Sequence, residues 1–202
     1  MSIPIYYKSY SAPDVNKKEL QRFALCSAEM DAESEKLIDS CISELLQELC
    51  YKVCYAYFPI ALDKDELDLG FARVKSSSLA KNLTGCSHIV LFAATVGAGA
   101  DRLISKYSRI QPARSHIMQA LGAERVESLC DVFCDEIGAQ ADKRGYCVRP
   151  RFSPGYGDLS LGLQRQIFAT LDVTRKLGIA LNESLLMFPT KSVTAIIGLK
   201  KI

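Results

Sequence analysis

Apolar residues that recur every three or four positions predict a set of amphipathic helices along this chain. One such repeat runs from Asp31 to about Leu49, with glutamates and a lysine on the opposite face, so one side of this helix is expected to face a core. A longer repeat extends from about Pro112 to Ala141. Further helices are predicted from Pro13 through Ala24, from Ser76 to Leu83, from Ala100 to Tyr107 and over residues 160–177.

Apolar, β-branched and aromatic runs predict the strands. Residues 88–97, HIVLFAATVG, form an unbroken apolar run, which is typical of a strand covered on both faces. Residues 51–60 predict a second strand, and residues 63–70 predict a polar connection. Two short apolar segments at 185–188 and 193–197 are predicted to pair with each other. Because strands and helices follow one another without a βαβ rhythm, the sequence predicts the α+β class.

Length and composition favour one compact domain, 1–202, with a sizeable core. The chain has 202 residues, of which 49% are hydrophobic, and its 25 basic and 23 acidic residues give a net charge of +2. Since no run of like charge is present, we expect neither nucleic acid nor an anionic membrane as a partner. No apolar run approaches the roughly 20 residues of a membrane helix. The opening MSIPIYYKSY lacks the pattern of a signal peptide, so we expect a cytoplasmic protein with reduced thiols.

The glycine-rich stretch TVGAGAD, 95–101, stands between a predicted strand and a predicted helix, where a phosphate-binding loop would stand. Arg102 occupies the place of the third glycine of the dinucleotide fingerprint, and the Walker lysine is also missing. We therefore predict a tight turn in which Thr95 or Asp101 caps the helix, with a nucleotide-binding enzyme as the last-ranked alternative.

Two cysteine pairs, Cys50 with Cys54 and Cys130 with Cys134, have a spacing of four residues. Zinc sites favour closer thiolate pairs or histidine partners, and neither His88 nor His116 has a ligand-like spacing. A cysteine on a helix commonly behaves as a small buried hydrophobe, so we expect no metal site.

The stretch RFSPGYGD, 151–158, combines groups that suit a charged small molecule. The guanidinium of Arg151 can bind a carboxylate at two points. Pro154 fixes the backbone, Gly155 allows close approach to the main chain, and Tyr156 offers an aromatic face to a cation. These groups predict a zwitterionic ligand that carries a further positive charge. The alternative is an ordinary proline-glycine turn beside an exposed arginine and a packed tyrosine.

This stretch and the segment LNESLLMFPTKSVTAIIG, 181–198, resemble the C-terminal activation (reactivation) domain of cobalamin-dependent methionine synthase. That domain carries an Arg-x-x-x-Gly-Tyr motif, a helix, and then a Leu-x-Glu-Ser, Met-aromatic-Pro and Ser-Val segment. IVLFAATVG and MQALGAERVESLC also resemble the corresponding strand and helix of the family. The resemblance is best over residues 85–202, while residues 1–84 match in general character as the N-terminal portion of the same domain.

The resemblance implies a curved, mostly antiparallel sheet with flanking helices that binds S-adenosylmethionine in an extended pose. Arg151 would hold the methionine carboxylate, Ser153 would contribute backbone contacts, and Gly155 and Tyr156 would lie against the ligand. Glu127 would lie near the amino or ribose end, unless it is a solvated glutamate on an exposed face. The implied binding residues are Glu127, Arg151, Ser153, Pro154, Gly155 and Tyr156.

The implied function is that of an activation subunit that supports reductive remethylation of the cobalamin of a separate methionine synthase. The partner protein would supply the cobalamin, and a flavodoxin-like protein would supply electrons. Two alternatives stay open. One is that the client is another corrinoid methyltransferase, and the other is that the chain is a degenerate binding module that keeps the fold without activity.

Overall fold

The computed structural model describes residues 3–24, 32–62 and 66–202, which form strands and helices in mixed order. The strands are β1 (Tyr6–Tyr10), β2 (Tyr51–Pro59), β3 (Ala61–Leu62), β4 (Leu67–Asp68), β5 (Arg73–Val74), β6 (Cys86–Thr95), β7 (Tyr146–Val148), β8 (Ala180–Leu181), β9 (Met187–Phe188) and β10 (Ser192–Lys201). The helices are α1 (Lys17–Ala24), α2 (Ala32–Glu48), α3 (Ser77–Asn82), α4 (Gly99–Tyr107), α5 (Pro112–Asp142), α6 (Leu163–Leu171) and α7 (Val173–Leu177).

Five strands form the main sheet, in the order β1-β2-β6-β10-β7, and each neighbouring pair is antiparallel. The sheet curls into a half-barrel, and helices lie against it. The predicted α+β class, with a curved antiparallel sheet and flanking helices, is therefore confirmed. As expected for residues 88–97, the central strand β6 is buried along most of its length.

Both faces of this sheet are covered, because alternate residues of a strand point to opposite faces. In β6, Ile89 and Leu91 contact the layer formed by α3, α6 and α7, whereas Val90 and Phe92 contact α5. The N-terminal half of α5 packs instead against α1, α2 and α4, in a third apolar cluster. The long helix α5 thus lies against the sheet with one half and against other helices with the rest.

The predicted pairing of residues 185–188 with 193–197 is wrong. Strand β9 pairs with β8, in the register Leu181↔Met187, and forms a small separate hairpin. Strand β10 pairs with β6 over most of its length and with β7 at its end. A buried ten-residue strand satisfies its backbone groups on both sides in this way, which a short hairpin could not provide.

The predicted helix at 160–177 is two helices. Asp172 has a φ of 52°, which ends α6 at Leu171 and lets α7 begin at Val173 in a new direction. The side chain of Asp172 accepts a hydrogen bond from Arg175 at 2.5 Å. Both helices bury their apolar sides against β2 and β6, so packing on a curved sheet overrides the continuous periodicity.

Two other predictions differ from the structure. The first helix begins at Lys17 rather than Pro13, because the Asn16 side chain accepts the backbone N–H of Glu19 at 3.2 Å. The polar connection 63–70 contains β4, which pairs with β3 and β5, while residues 63–65 and Asp31 lie outside the described residues.

The turn predicted at residues 95–101 is confirmed. Gly97 has a φ of 79°, and a Cβ there would lie 2.6 Å from Cys50 Sγ. The predicted helix cap is wrong, since Thr95 Oγ1 accepts the N–H of Gly97 and Asp101 accepts the N–H of Thr190. Helix α4 begins without a side-chain cap.

Candidate functional site

An irregular edge of the main sheet positions Arg151. Val148 faces Leu199 of β10, but four residues later Phe152 faces Ile196, which is only three residues from Leu199. One extra residue therefore lies on the edge segment between these two pairs, as in a β-bulge. The backbone of Phe152 holds Ile196 with two hydrogen bonds of 2.8 and 2.9 Å.

The extra residue decides which face Arg151 occupies. Val148 packs on the α5 side, and without the extra residue Phe152 would do the same, since it is four residues later. Instead, Phe152 packs in the cluster on the opposite face. Arg151 is consequently directed toward α5.

The guanidinium of Arg151 meets two carboxylates of α5. Its Nη2 donates to Glu127 Oε2 in a short contact and to Asp131 Oδ1 at 3.2 Å. Glu127 and Asp131 are four residues apart, so they lie on one side of the helix. The Arg151 side chain is 25% exposed, against 41% for Glu127 and 68% for Asp131. The two carboxylates therefore remain open to solvent, while the cation between them is largely covered.

The electrostatics of this group favour a further positive charge. Burial raises the pKa of the Asp131 carboxyl, and although Arg151 opposes that rise, the nearby carboxylates of Glu127 and Asp135 add to it. The pKa of Asp131 thus lies above its usual range, because partial burial together with the neighbouring carboxylates outweighs the attraction of Arg151. A ligand ammonium at this place would stabilise the ionised carboxylates.

The loop that follows Arg151 is a tight turn fixed from within. The N–H of Gly155 donates to the Leu159 carbonyl at 2.8 Å, and the N–H of Tyr156 donates to the Ser153 carbonyl at 3.1 Å. Pro154 is buried, Ser153 is half-buried, and Gly155 is exposed with a φ of 86°. The main-chain donors of Gly155 and Tyr156 are therefore used inside the loop.

Asp158 fastens the end of this loop to the start of α3. Its carboxylate accepts hydrogen bonds from Ser76 Oγ at 2.5 Å, from the backbone and hydroxyl of Ser77 at 2.7 Å each, and from the N–H of Ser78 at 3.1 Å. These donors, led by Ser76, hold the pKa of Asp158 far below its usual range. The loop is thereby held at both ends, by the β10 pairing and by Asp158.

The structure brings Arg151 and Glu127 together, but it places Tyr156 elsewhere. The Tyr156 ring contacts Phe152 edge-on, with centroids 5.6 Å apart, and is 71% exposed. Since Phe152 packs on the face opposite α5, the exposed tyrosine and the ion-paired arginine flank the two sides of the same edge segment.

The cysteine pair of α5 lies beside this group as neutral thiols. Cys130 is fully buried, and burial raises its pKa and raises that of Cys134 to about 11. Among the described residues, no group of three or more histidine, cysteine, aspartate or glutamate side chains could hold a metal ion. No helix in the described ranges is long and apolar enough to span a bilayer.

No family model and no curated protein matches this sequence. The fold, however, has a solved relative. The chain is similar to the crystal structure of the MetH reactivation domain bound to AdoHcy, with a TM-score of 0.68. The alignment covers 97% of this chain and 78% of that chain, at 14% sequence identity. At this sequence identity the likeness is one of fold alone.

Proposed function

We propose that this protein binds S-adenosylmethionine at Arg151, Glu127 and Asp131, as a reactivation-type module for a corrinoid methyltransferase. The client we favour is a separate cobalamin-dependent methionine synthase, whose cobalamin is remethylated reductively with electrons from a flavodoxin-like protein. Support comes from the fold shared with a reactivation domain that was solved with AdoHcy.

The observation that carries this proposal is the ion-paired group on the edge of the sheet. An α-amino acid end carries one carboxylate and one ammonium. Arg151 offers a planar fork of donors to the carboxylate, and the exposed oxygens of Glu127 and Asp131 accept from the ammonium. The guanidinium is already directed and largely covered, so little ordering is needed when the ligand binds.

The remainder of an extended ligand would have to cross the edge segment, because Tyr156 lies on the side opposite Arg151. There Tyr156 presents an exposed ring whose aromatic face attracts a positively charged sulfur. Exposed Gly155 carries no side chain that would keep a ligand from the loop. Ser153 and Pro154 hold the turn that connects Arg151 with Tyr156.

The role of this chain is to bind and position. S-adenosylmethionine supplies a methyl group on a sulfonium, and its transfer to reduced cobalamin leaves S-adenosylhomocysteine. Arg151 fixes one end of the ligand, and the loop anchored by Asp158 fixes the place of Tyr156 relative to it. Orientation of two reactants is by itself a substantial catalytic contribution.

A reconstitution assay tests the function. An inactive cob(II)alamin methionine synthase without its own reactivation domain is mixed with reductant, a flavodoxin, S-adenosylmethionine and this protein. We expect turnover to return with the wild type and with Arg109→Ala, an exposed control, but not with Arg151→Ala. Return of turnover with Arg151→Ala, or no return with any corrinoid client, would reject the proposal.

A further inference from the structure

A cavity lies between the C-terminal end of α5 and the main sheet. Its volume is about 220 Å³, and Ile137, Ala141 and Leu199 form its buried apolar floor. Gln140 of this cavity follows Glu127 by thirteen residues on the same helix, which corresponds to about 20 Å. We call it the α5 cavity, and its location separates it from the ion-paired group at Arg151.

Aromatic rings form the walls of the α5 cavity. Tyr57 of β2, His88 of β6 and Tyr146 of β7 all line it. The rings of His88 and Tyr146 meet edge-on, with centroids 6.2 Å apart and planes at 89°. Rings from three strands thus surround an apolar floor, an arrangement that suits a flat aromatic guest, because aromatic pairs favour stacked or edge-on contacts.

The polar groups at the cavity are held in a fixed orientation. The Tyr57 hydroxyl donates a hydrogen bond to Gln140 Oε1 at 3.4 Å, and Gln140 Nε2 donates one to Glu136 Oε1 at 3.0 Å. Glu136 in turn accepts from Lys8 at 2.5 Å and from Tyr10 at 2.8 Å. This chain of hydrogen bonds immobilises the Tyr57 ring and the Gln140 amide.

Arg144 gives the mouth of the cavity a positive charge. Its side chain is exposed, and within the described part of the chain no carboxylate forms a salt bridge with it. Arg144 lines the cavity together with Tyr57 and Tyr146. An anionic group on a bound molecule can form an ion pair with the Arg144 guanidinium.

We infer that the α5 cavity binds a planar aromatic anion of one or two rings. Size limits the guest, because a cavity of roughly 150 Å³ accommodates benzene and about 220 Å³ leaves room for one fused ring or a short substituent. The rings of Tyr57, His88 and Tyr146 hold the guest, and Arg144 selects its charge. The inference goes beyond the proposed function and does not rest on it.

Indole-3-acetate is a suitable probe because the protein contains no tryptophan, so the indole fluorescence has no background from the chain. We expect saturable binding by the wild type. Neutral indole-3-acetamide is expected to bind about fivefold more weakly, since an exposed charge pair contributes up to about 1 kcal/mol. Cyclohexylacetate, which is anionic but not aromatic, should compete poorly.

Four variants locate the binding. Ala141→Leu fills the floor and should weaken indole-3-acetate at least about tenfold. Tyr146→Leu removes one aromatic wall and gives a second test if the first variant does not fold. Arg144→Gln should reduce affinity for the acetate to that for the amide, whereas Lys143→Gln, the neighbouring exposed control, should leave it unchanged.

The inference is wrong if the wild type shows no saturable binding, or if Ala141→Leu and Tyr146→Leu, both folded by circular dichroism, bind the probe as the wild type does. It is also wrong if S-adenosylhomocysteine displaces the probe stoichiometrically, because the two sites would then be one. A failure of this kind would leave the titration of Arg151 variants unaffected, so the two proposals stand or fall separately.

Discussion

The buried ion pair of Glu124 and Arg125 is expected to dominate the stability of the N-terminal region. The two side chains are 1% and 0% exposed. Arg125 donates to both oxygens of Glu124, each at 2.5 Å, and to the carbonyls of Pro13 and Asp14 at 2.5 and 2.7 Å. The N–H of Asn16 donates to Glu124 at 2.9 Å. The pair thus fastens residues 13–16, just before α1, to α5.

Removal of one partner leaves the other charge buried without compensation. Arg125→Met keeps most of the side-chain volume but strands the Glu124 carboxylate and two backbone carbonyls. Such a change typically destabilises a protein by about 3–5 kcal/mol. For a chain of 202 residues this corresponds to a fall of about 6–20 °C in the melting temperature, at about 2–4 °C per kcal/mol.

Urea unfolding followed by circular dichroism measures this effect in Arg125→Met, Glu124→Gln and the double variant. Because the double variant leaves no buried charge, its loss should be smaller than the sum of the two single losses. Arg102→Met is the control, since Arg102 pairs with Glu48 at exposures of 64% and 45% and should lose at most about 1 kcal/mol. A loss below about 1 kcal/mol in Arg125→Met would contradict this role of the buried ion pair.

Three further predictions concern the site. Asp158→Ala should release the loop from α3 and thereby weaken S-adenosylmethionine binding at least about tenfold, as measured by calorimetry. An unchanged affinity would show that the contact between Asp158 and α3 is not needed for binding. Gly157→Ala should destabilise the fold by about 1–3 kcal/mol in urea unfolding, because its φ is 56° and a Cβ would lie 2.8 Å from Ser78 Oγ; equal stability would contradict the strain. Ligand affinity should fall as the pH decreases from 7 to 4, because Asp131 has a raised pKa and its carboxylate, which accepts from the ammonium, becomes protonated at a higher pH than an ordinary aspartate. Asp131→Asn should flatten this pH dependence, and the same slope in both proteins would contradict the prediction.

Periodicity was sufficient for the elements whose burial is simple. The apolar run 88–97 predicts β6 because both faces of that strand are covered. The repeat from Pro112 to Ala141 predicts α5 because buried residues recur along this helix from Ile117 to Ala141. Periodicity did not predict which strands pair. Residues 192–201 join β6 and β7 across the sheet, and no local pattern distinguishes such a strand from one arm of a hairpin.

The candidate site was only partly predictable for similar reasons. Asp131 had a usable signal, because it follows Glu127 by four residues on a predicted helix. Arg151 is directed toward α5 because one extra residue lies on the edge segment where it pairs with β10. No local sequence pattern predicts this irregular pairing. Asp158 is about eighty residues from Ser76–Ser78, so only the folded chain brings them together.

Ligand binding at the edge of the sheet is tested most directly by a calorimetric titration of the purified protein with S-adenosylmethionine. Wild type and Arg109→Ala should bind one equivalent, while Arg151→Ala should bind at least about tenfold more weakly, because a hydrogen bond to a charged group contributes about 1.5–3 kcal/mol. S-adenosylhomocysteine, which lacks the sulfonium charge, should bind through the same arginine. Equal binding by wild type and Arg151→Ala, or no binding by the wild type, would contradict the assignment of the ligand to the edge of the sheet.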